Sequence, residues 1–254
     1  MGASAASRLI EFENVVAGYS PTLTILNELS LDARAGEITL LIGHNGAGKS
    51  TALRALFGLL TPRAGEIRFG GARVSGTPPR GMIDRGLAFV PQGRNLFPSL
   101  SVLHNLELGG ITLPGRKLLR ERIAEILDLF PPVRERLGNQ ASTLSGGEQK
   151  QLEIGRALLL KPRVLLIDEP SIGLSPKISQ EVFQLLRRLA DTGTTVLMVD
   201  QNVRSALKYA DRALVLEMGR LALDRPAGEL LEDPNLNRLF LGGAVARTGR
   251  AVAP

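Results

Sequence analysis

The chain has 254 residues, 44% of them hydrophobic and 22% charged, which suits one large α/β domain and leaves two independent domains cramped. It has no Cys, which excludes disulfides, thiolate metal sites and cysteine nucleophiles and permits a reducing compartment. The net charge is +6, but Arg and Lys alternate with acids instead of clustering, the pattern of a solvated surface and not of a nucleic-acid face.

Apolar runs bounded by turn residues predict strands at Leu9–Val16, Ile38–Ile42, Leu87–Pro91, Val164–Ile167, Thr195–Val199 and Ala213–Glu217. Helical patterns lie between several of them, including Thr51–Leu60. Strands alternating with helices predict a mostly parallel sheet covered on both faces. From about Arg116 to Leu160 this alternation stops: Leu118, Leu119, Ile123, Ile126 and Leu127 stand at helical spacing and Pro131-Pro132 close that helix, so the segment is expected to be part of a helical insertion. Residues 244–254 are small and basic without apolar period, and are expected to fray. No run reaches the roughly 18 to 20 apolar residues of a membrane-spanning helix, and the first eight residues lack a secretory apolar core. Membrane association is therefore expected to come through a partner.

Gly43-His44-Asn45-Gly46-Ala47-Gly48-Lys49-Ser50 follows the run Ile38–Ile42 and precedes the helical Thr51. This is the phosphate-loop pattern in its proper strand-to-helix setting. Glycines let successive N–H groups point inward, and the helix behind adds its positive end, making a cradle for phosphate oxygens. Lys49 is expected to reach the β- and γ-phosphates of ATP, and Ser50 to ligate Mg²⁺.

The run Val164–Ile167 ends in Asp168-Glu169-Pro170, which delivers two carboxylates to the carboxyl edge of the sheet, where α/β ligands bind. Alone this is a weak signal; following a phosphate loop it is a strong one. Asp168 is expected to hold Mg²⁺ through its water shell, and Glu169 to orient and polarise the water that attacks the γ-phosphate.

Leu144-Ser145-Gly146-Gly147-Glu148-Gln149-Lys150, ahead of the helical Gln151–Leu160, resembles the signature motif of ABC ATPases. Ser145 caps a helix start and the glycines expose N–H groups, a second anion site of the same kind as the first. The resemblance implies an ABC ATPase domain over residues 8–243. Its fold would be α/β, a P-loop core on a mostly parallel sheet, with an N-terminal antiparallel β subdomain and a helical subdomain inserted at about residues 95–160. It also implies a head-to-tail dimer, with ATP between one phosphate loop and the signature residues Ser145, Gly146, Gly147 and Glu148 of the other subunit. By the same resemblance Tyr19 stacks on adenine, Thr51 belongs to the nucleotide site, and Gln92 contacts Mg²⁺ and the attacking water. The loop Ser171–Pro176 touches the opposite subunit, with Ser175 where the usual Asp stands.

These ATPases usually carry a His after the next strand, and here that position reads Val199-Asp200-Gln201-Asn202. Both histidines of the chain, His44 and His104, lie upstream of the signature. Gln201 takes the catalytic position, able to donate a hydrogen bond and unable to carry a proton charge near pH 7. The expectation is slow hydrolysis by a homodimer and pairing with a second ATPase subunit that carries the His, a homodimer being the alternative.

The stretch Val90–Val102, Gln201-Asn202 and the late Leu239–Gly243 are each similar to one of the two ATP-binding subunits of branched-chain amino-acid importers. That similarity implies two transmembrane permease subunits, an extracytoplasmic solute-binding protein acting indirectly, and a peripheral position on the cytoplasmic face of the membrane. Urea or amide importers use closely similar ATPases, and a non-transport ABC ATPase is the more distant alternative.

Overall fold

A computed structural model describes residues 7–93 and 95–233. Five short apolar runs become the parallel strands β3 (Ile38–Ile42), β6 (Leu87–Val90), β7 (Val164–Asp168), β8 (Thr195–Val199) and β9 (Arg212–Glu217), and β10 (Arg220–Pro226) joins antiparallel to β9. The order is β10-β9-β3-β8-β7-β6. Apart from Thr39, Thr195 and the charged strand-end residues Asp168, Arg212 and Glu217, the parallel strands are apolar, because the sheet is covered on both sides.

The two-residue period of a strand sorts these side chains into two cores. Ile38, Leu40, Leu165, Ile167, Val196, Met198, Ala213 and Val215 join one cluster; Leu41, Val164, Leu166, Leu197, Val199, Leu214 and Leu216 join the other. The first core is completed by the helices between β6 and β7: α3 (Val102–Gly109), α4 (Arg116–Leu129), α5 (Pro131–Glu135) and α6 (Gly146–Leu158). Helix α7 (Pro176–Asp191) contributes Val182, Phe183, Leu185 and Leu186 to it, with α8 (Val203–Leu207) and α9 (Ala227–Glu232) at the same face.

The second core is closed by α1 (Lys49–Leu56) and by an antiparallel sheet of order β2-β1-β4-β5. Its strands are β1 (Arg8–Ala17), β2 (Leu26–Arg34), β4 (Ala64–Phe69) and β5 (Ala72–Arg73); α2 (Pro79–Asp84) adds Met82. Of these strands only β1 is visible as an apolar run in the sequence. Strand β2 buries every second residue only over part of its length, because Glu28 in the left-handed region (φ 52°) breaks the register between Leu26 and Leu29.

Three boundaries differ from the sequence expectation. Helix α1 ends at Leu56 and not at Leu60, Gly58 turning the chain away. Helix α6 starts at Gly146, five residues before Gln151, because Ser145 caps it directly. Pro131 and Pro132 both close α4 and open α5, occupying first-turn positions where a missing N–H costs nothing. The tail 244–254 and the Leu239–Gly243 motif lie outside the described residues.

Candidate active site at the carboxyl edge of the sheet

The turn from β3 into α1 is the phosphate loop. Gly43 (φ 152°) and Gly48 (φ 102°) occupy backbone closed to other residues, and a Cβ on Gly43 would sit 2.2 Å from the Leu216 carbonyl oxygen. That crowding comes from the end of β9, and the turn Met218-Gly219 that follows it braces the loop from behind. The Gly219 N–H donates to the Ala47 carbonyl (3.1 Å), and the Gly219 and Met218 carbonyls accept from the backbone N–H and the side-chain Nδ2 of Asn27 (3.0 and 2.8 Å). His44, Asn45 and Gly46 form the exposed lip; Ala47, Gly48 and Thr51 are buried beneath it.

Lys49 is buried and folds back, its Nζ donating to the carbonyls of Gly43 (2.7 Å) and His44 (3.0 Å). Burial pulls its ammonium below the ordinary range, against the raising pull of Glu169 and Asp168. Ser50 Oγ donates to Asp168 Oδ1 at 3.0 Å. Asp168 Oδ2 is buried without a hydrogen-bond partner, and burial pushes this carboxyl above its usual 3.8 in spite of the Ser50 hydroxyl.

Glu169 is 6% exposed and adopts φ 52°, uncommon for a non-glycine residue and here fixed by its N–H donating to the Val199 carbonyl (2.7 Å). The twist aims its carboxylate between two amides: Gln201 Nε2 donates to Oε1 at 2.7 Å and Gln92 Nε2 donates to Oε2 at 2.6 Å. Gln92 follows β6 and Gln201 follows β8, so three strand ends converge on one carboxylate. Two clefts of about 470 and 320 Å³ flank this point, one lined by Gly43, His44, Asn45 and Lys49, the other by Glu169, Ser171 and Pro176; Asp200 and Gln201 line both.

No sequence motif assigns Asp200 a role. It is 2% exposed and accepts from the Ser171 N–H (3.0 Å), the Ser171 hydroxyl (2.6 Å) and the Asn202 N–H (2.7 Å), joining the loop after Glu169 to the loop of Gln201. Burial pushes its pKa up. Ser175, in the same loop, caps α7 by accepting from the Ile178 N–H.

Tyr19 is 52% exposed, so it is not a core tyrosine; its hydroxyl accepts from Arg54 (3.0 Å) and lies 3.4 Å from the Thr51 hydroxyl, with the Arg54 guanidinium 5.9 Å from the ring centre. The signature residues stand apart from both clefts. Ser145 accepts from the Glu148 N–H (3.3 Å) and Glu148 accepts from the Ser145 N–H (2.7 Å), a capping box that leaves Ser145 and Gly146 at the surface.

A phosphate loop, an acid pair on the adjacent sheet edge and a capped signature helix define an ATP-binding cassette, and the chain belongs to the ABC transporter family: residues 26–172 match that family's profile. It is an ATP-hydrolysing cassette of this family. It is 41% identical to the high-affinity branched-chain amino acid transport ATP-binding protein BraG of Pseudomonas aeruginosa, over 92% of this chain and 100% of that one. Among solved structures it resembles MJ1267, an ATP-binding cassette of an ABC transporter, with a TM-score of 0.84 and 26% identity over 93% of this chain and 100% of that one. The dimeric cassette MJ0796 bound to ADP and Pi matches with a TM-score of 0.76 and 27% identity over 86% and 99% of the two chains. No helix among the described residues is long and apolar enough to cross a membrane.

Proposed function

We propose that this chain powers an importer of branched-chain amino acids from the cytoplasmic face of the membrane, as one of two different ATPases beneath two permease subunits that receive solute from a binding protein. The likeness to BraG over its full length supports the solute. The observation that carries the chemistry is the Glu169 carboxylate held on both oxygens beside the Ser50–Asp168 pair.

Loop N–H groups and Lys49 bind the phosphates, Lys49 exchanging two carbonyls for phosphate oxygens. Glu169 orients the attacking water, and Gln201 fixes the carboxylate from the other side. Mg²⁺ fits the donors present: Asp168 has a buried oxygen without a partner, and Ser50 stands at its other oxygen. Ser50, Asp168 and Gln92 would hold it, and when bound it neutralises charge on the β- and γ-phosphates. Tyr19 offers its ring to the adenine once Arg54 yields, and Ser145 to Glu148 face the nucleotide of the opposite subunit.

Gln201 donates to Glu169 but cannot take up or release a proton near pH 7 as an imidazole does, which supports a partner ATPase carrying the His. Gln201→His is expected to raise the turnover of the purified homodimer; a rate equal to the parent removes the main support for a heterodimer. The reading as a whole is tested by purifying tagged Glu169→Gln, trapped with ATP, from mildly solubilised membranes. Recovery of two polytopic proteins and a second, His-bearing ATPase supports it. Recovery of the chain alone, or with nucleic acid, overturns the importer.

A further inference from the structure

The Lys150–Glu153 pair lies one turn inside the signature helix and takes no part in the chemistry described above. Both side chains are buried, at 6% and 5% exposure, and Lys150 Nζ meets Glu153 Oε2 at 2.6 Å. The other oxygen, Oε1, accepts the backbone N–H of Asn95 at 2.8 Å. One turn further along α6, Arg156 donates to the carbonyl of the same Asn95 at 2.6 Å. Both backbone groups of one residue are thus held by two side chains of the signature helix. Asn95 Nδ2 in turn donates to the carbonyl of Pro91 (2.8 Å), closing the loop around Gln92, whose amide touches Glu169.

We infer that Glu153 is a positioning residue: with Arg156 it fastens the loop bearing Gln92 to α6, so that Gln92 at the γ-phosphate end and the signature residues 145–148 move as one body. This rests on the ATPase reading above and adds the fastening to it. Lys150 neutralises the buried carboxylate that does the fastening. Replacing Glu153 alone would strand a buried ammonium, a folding defect whatever the role of the contact. The informative pair is therefore double. Lys150→Met with Glu153→Gln removes both charges and keeps an acceptor oxygen for Asn95. Lys150→Met with Glu153→Met removes the charges and the acceptor at similar volume.

The Gln variant is expected to hydrolyse ATP within about twofold of the parent. The Met variant is expected to lose kcat by about ten- to a hundredfold, the scale of a small misplacement of a reacting group, with ATP affinity unchanged because Lys49 and Ser50 are untouched. Amide hydrogen exchange supplies the readout independent of activity: the Asn95 amide should be protected in parent and Gln variant and exchange freely in the Met variant. Equal kcat in the two variants, a matched loss of ATP affinity in the Met variant, or an Asn95 amide protected in both overturns the inference. Absence of ATP turnover in the parent overturns the ATPase reading instead, and the exchange measurement still decides the fastening.

Discussion

The two ends of the central sheet treat charge in opposite ways. At the amino ends of β3 and β9, charges are matched: Arg212 donates to Asp32 and to Asp224, and Arg187 donates to Asp211 (2.8 Å) and Asp191 (2.9 Å), while Asp211 also accepts the Ile38 N–H. Asp32 is held below its usual 3.8: burial works to raise it, and the Arg212 hydrogen bond and charge outweigh burial. At the carboxyl ends, burial wins. Asp168 and Asp200 are pushed up, Lys49 is pulled down, and one Asp168 oxygen has no partner. One end holds the fold together; the other keeps its charges short of partners that a nucleotide and its cation can supply.

The largest effect belongs to the carboxyl end. Glu169→Gln is expected to retain ATP binding and lose about 10²- to 10⁴-fold in turnover, roughly 3 to 5 kcal/mol of barrier, measured by phosphate release beside a nucleotide-binding titration. Near-normal hydrolysis removes Glu169 from its role.

Next comes the amino end. Arg212→Met leaves Asp32 and Asp224 without their shared cation; both are partly solvated (side-chain exposure 20% and 38%), so the cost is expected at about 1–3 kcal/mol, below that of a fully buried pair. A depressed carboxyl contributes stability above its unfolded pKa and loses it as pH falls through the folded value. The gap in Tm between parent and variant should thus be full at neutral pH and shrink below about pH 3.8.

Asp168→Asn should show the opposite sign. A carboxyl raised on folding contributes its stability below the unfolded value near 3.8 and loses it as pH rises through the folded one. At neutral pH the nucleotide-free variant is expected to melt above the parent while hydrolysing no ATP, and the gain should vanish in acid. A variant less stable than the parent at pH 7 would dissolve the contrast between the two ends.

The sequence made this active end legible more fully than the fold around it. Strands β3, β6, β7, β8 and β9 lie between two cores, so each is a mostly apolar run that can be found without alternation. Gly43 to Ser50, Asp168-Glu169 and Ser145 to Glu148 are local patterns, each complete within a few residues. Strand β2 escaped because Glu28, in the left-handed region, breaks its alternation, and β4 because only Ile67 and Phe69 of its six residues are buried. Asp200, Asn95, Glu153 and Arg156 escaped for another reason: their partners lie 29 to 61 residues away. The one visible cue is Lys150 and Glu153, opposite charges three residues apart in a helix, with Glu153 set between Leu152 and Ile154.

The Met218-Gly219 turn has a practical side. Its tip is exposed, Met218 at 81%, which makes it resemble a natural place to splice in a fluorescent label or an affinity sequence. Yet Gly219 is hydrogen-bonded to Ala47 and Asn27, and a Cβ there would stand 1.9 Å from the Ile25 carbonyl oxygen. An insertion would prise open the nucleotide cradle from behind, through the bond to Ala47, and would be scored as a loss of affinity caused at a turn outside the phosphate-loop motif. The Gly70-Gly71 turn, exposed and with nothing within 4 Å of either added Cβ, is the hairpin to label instead.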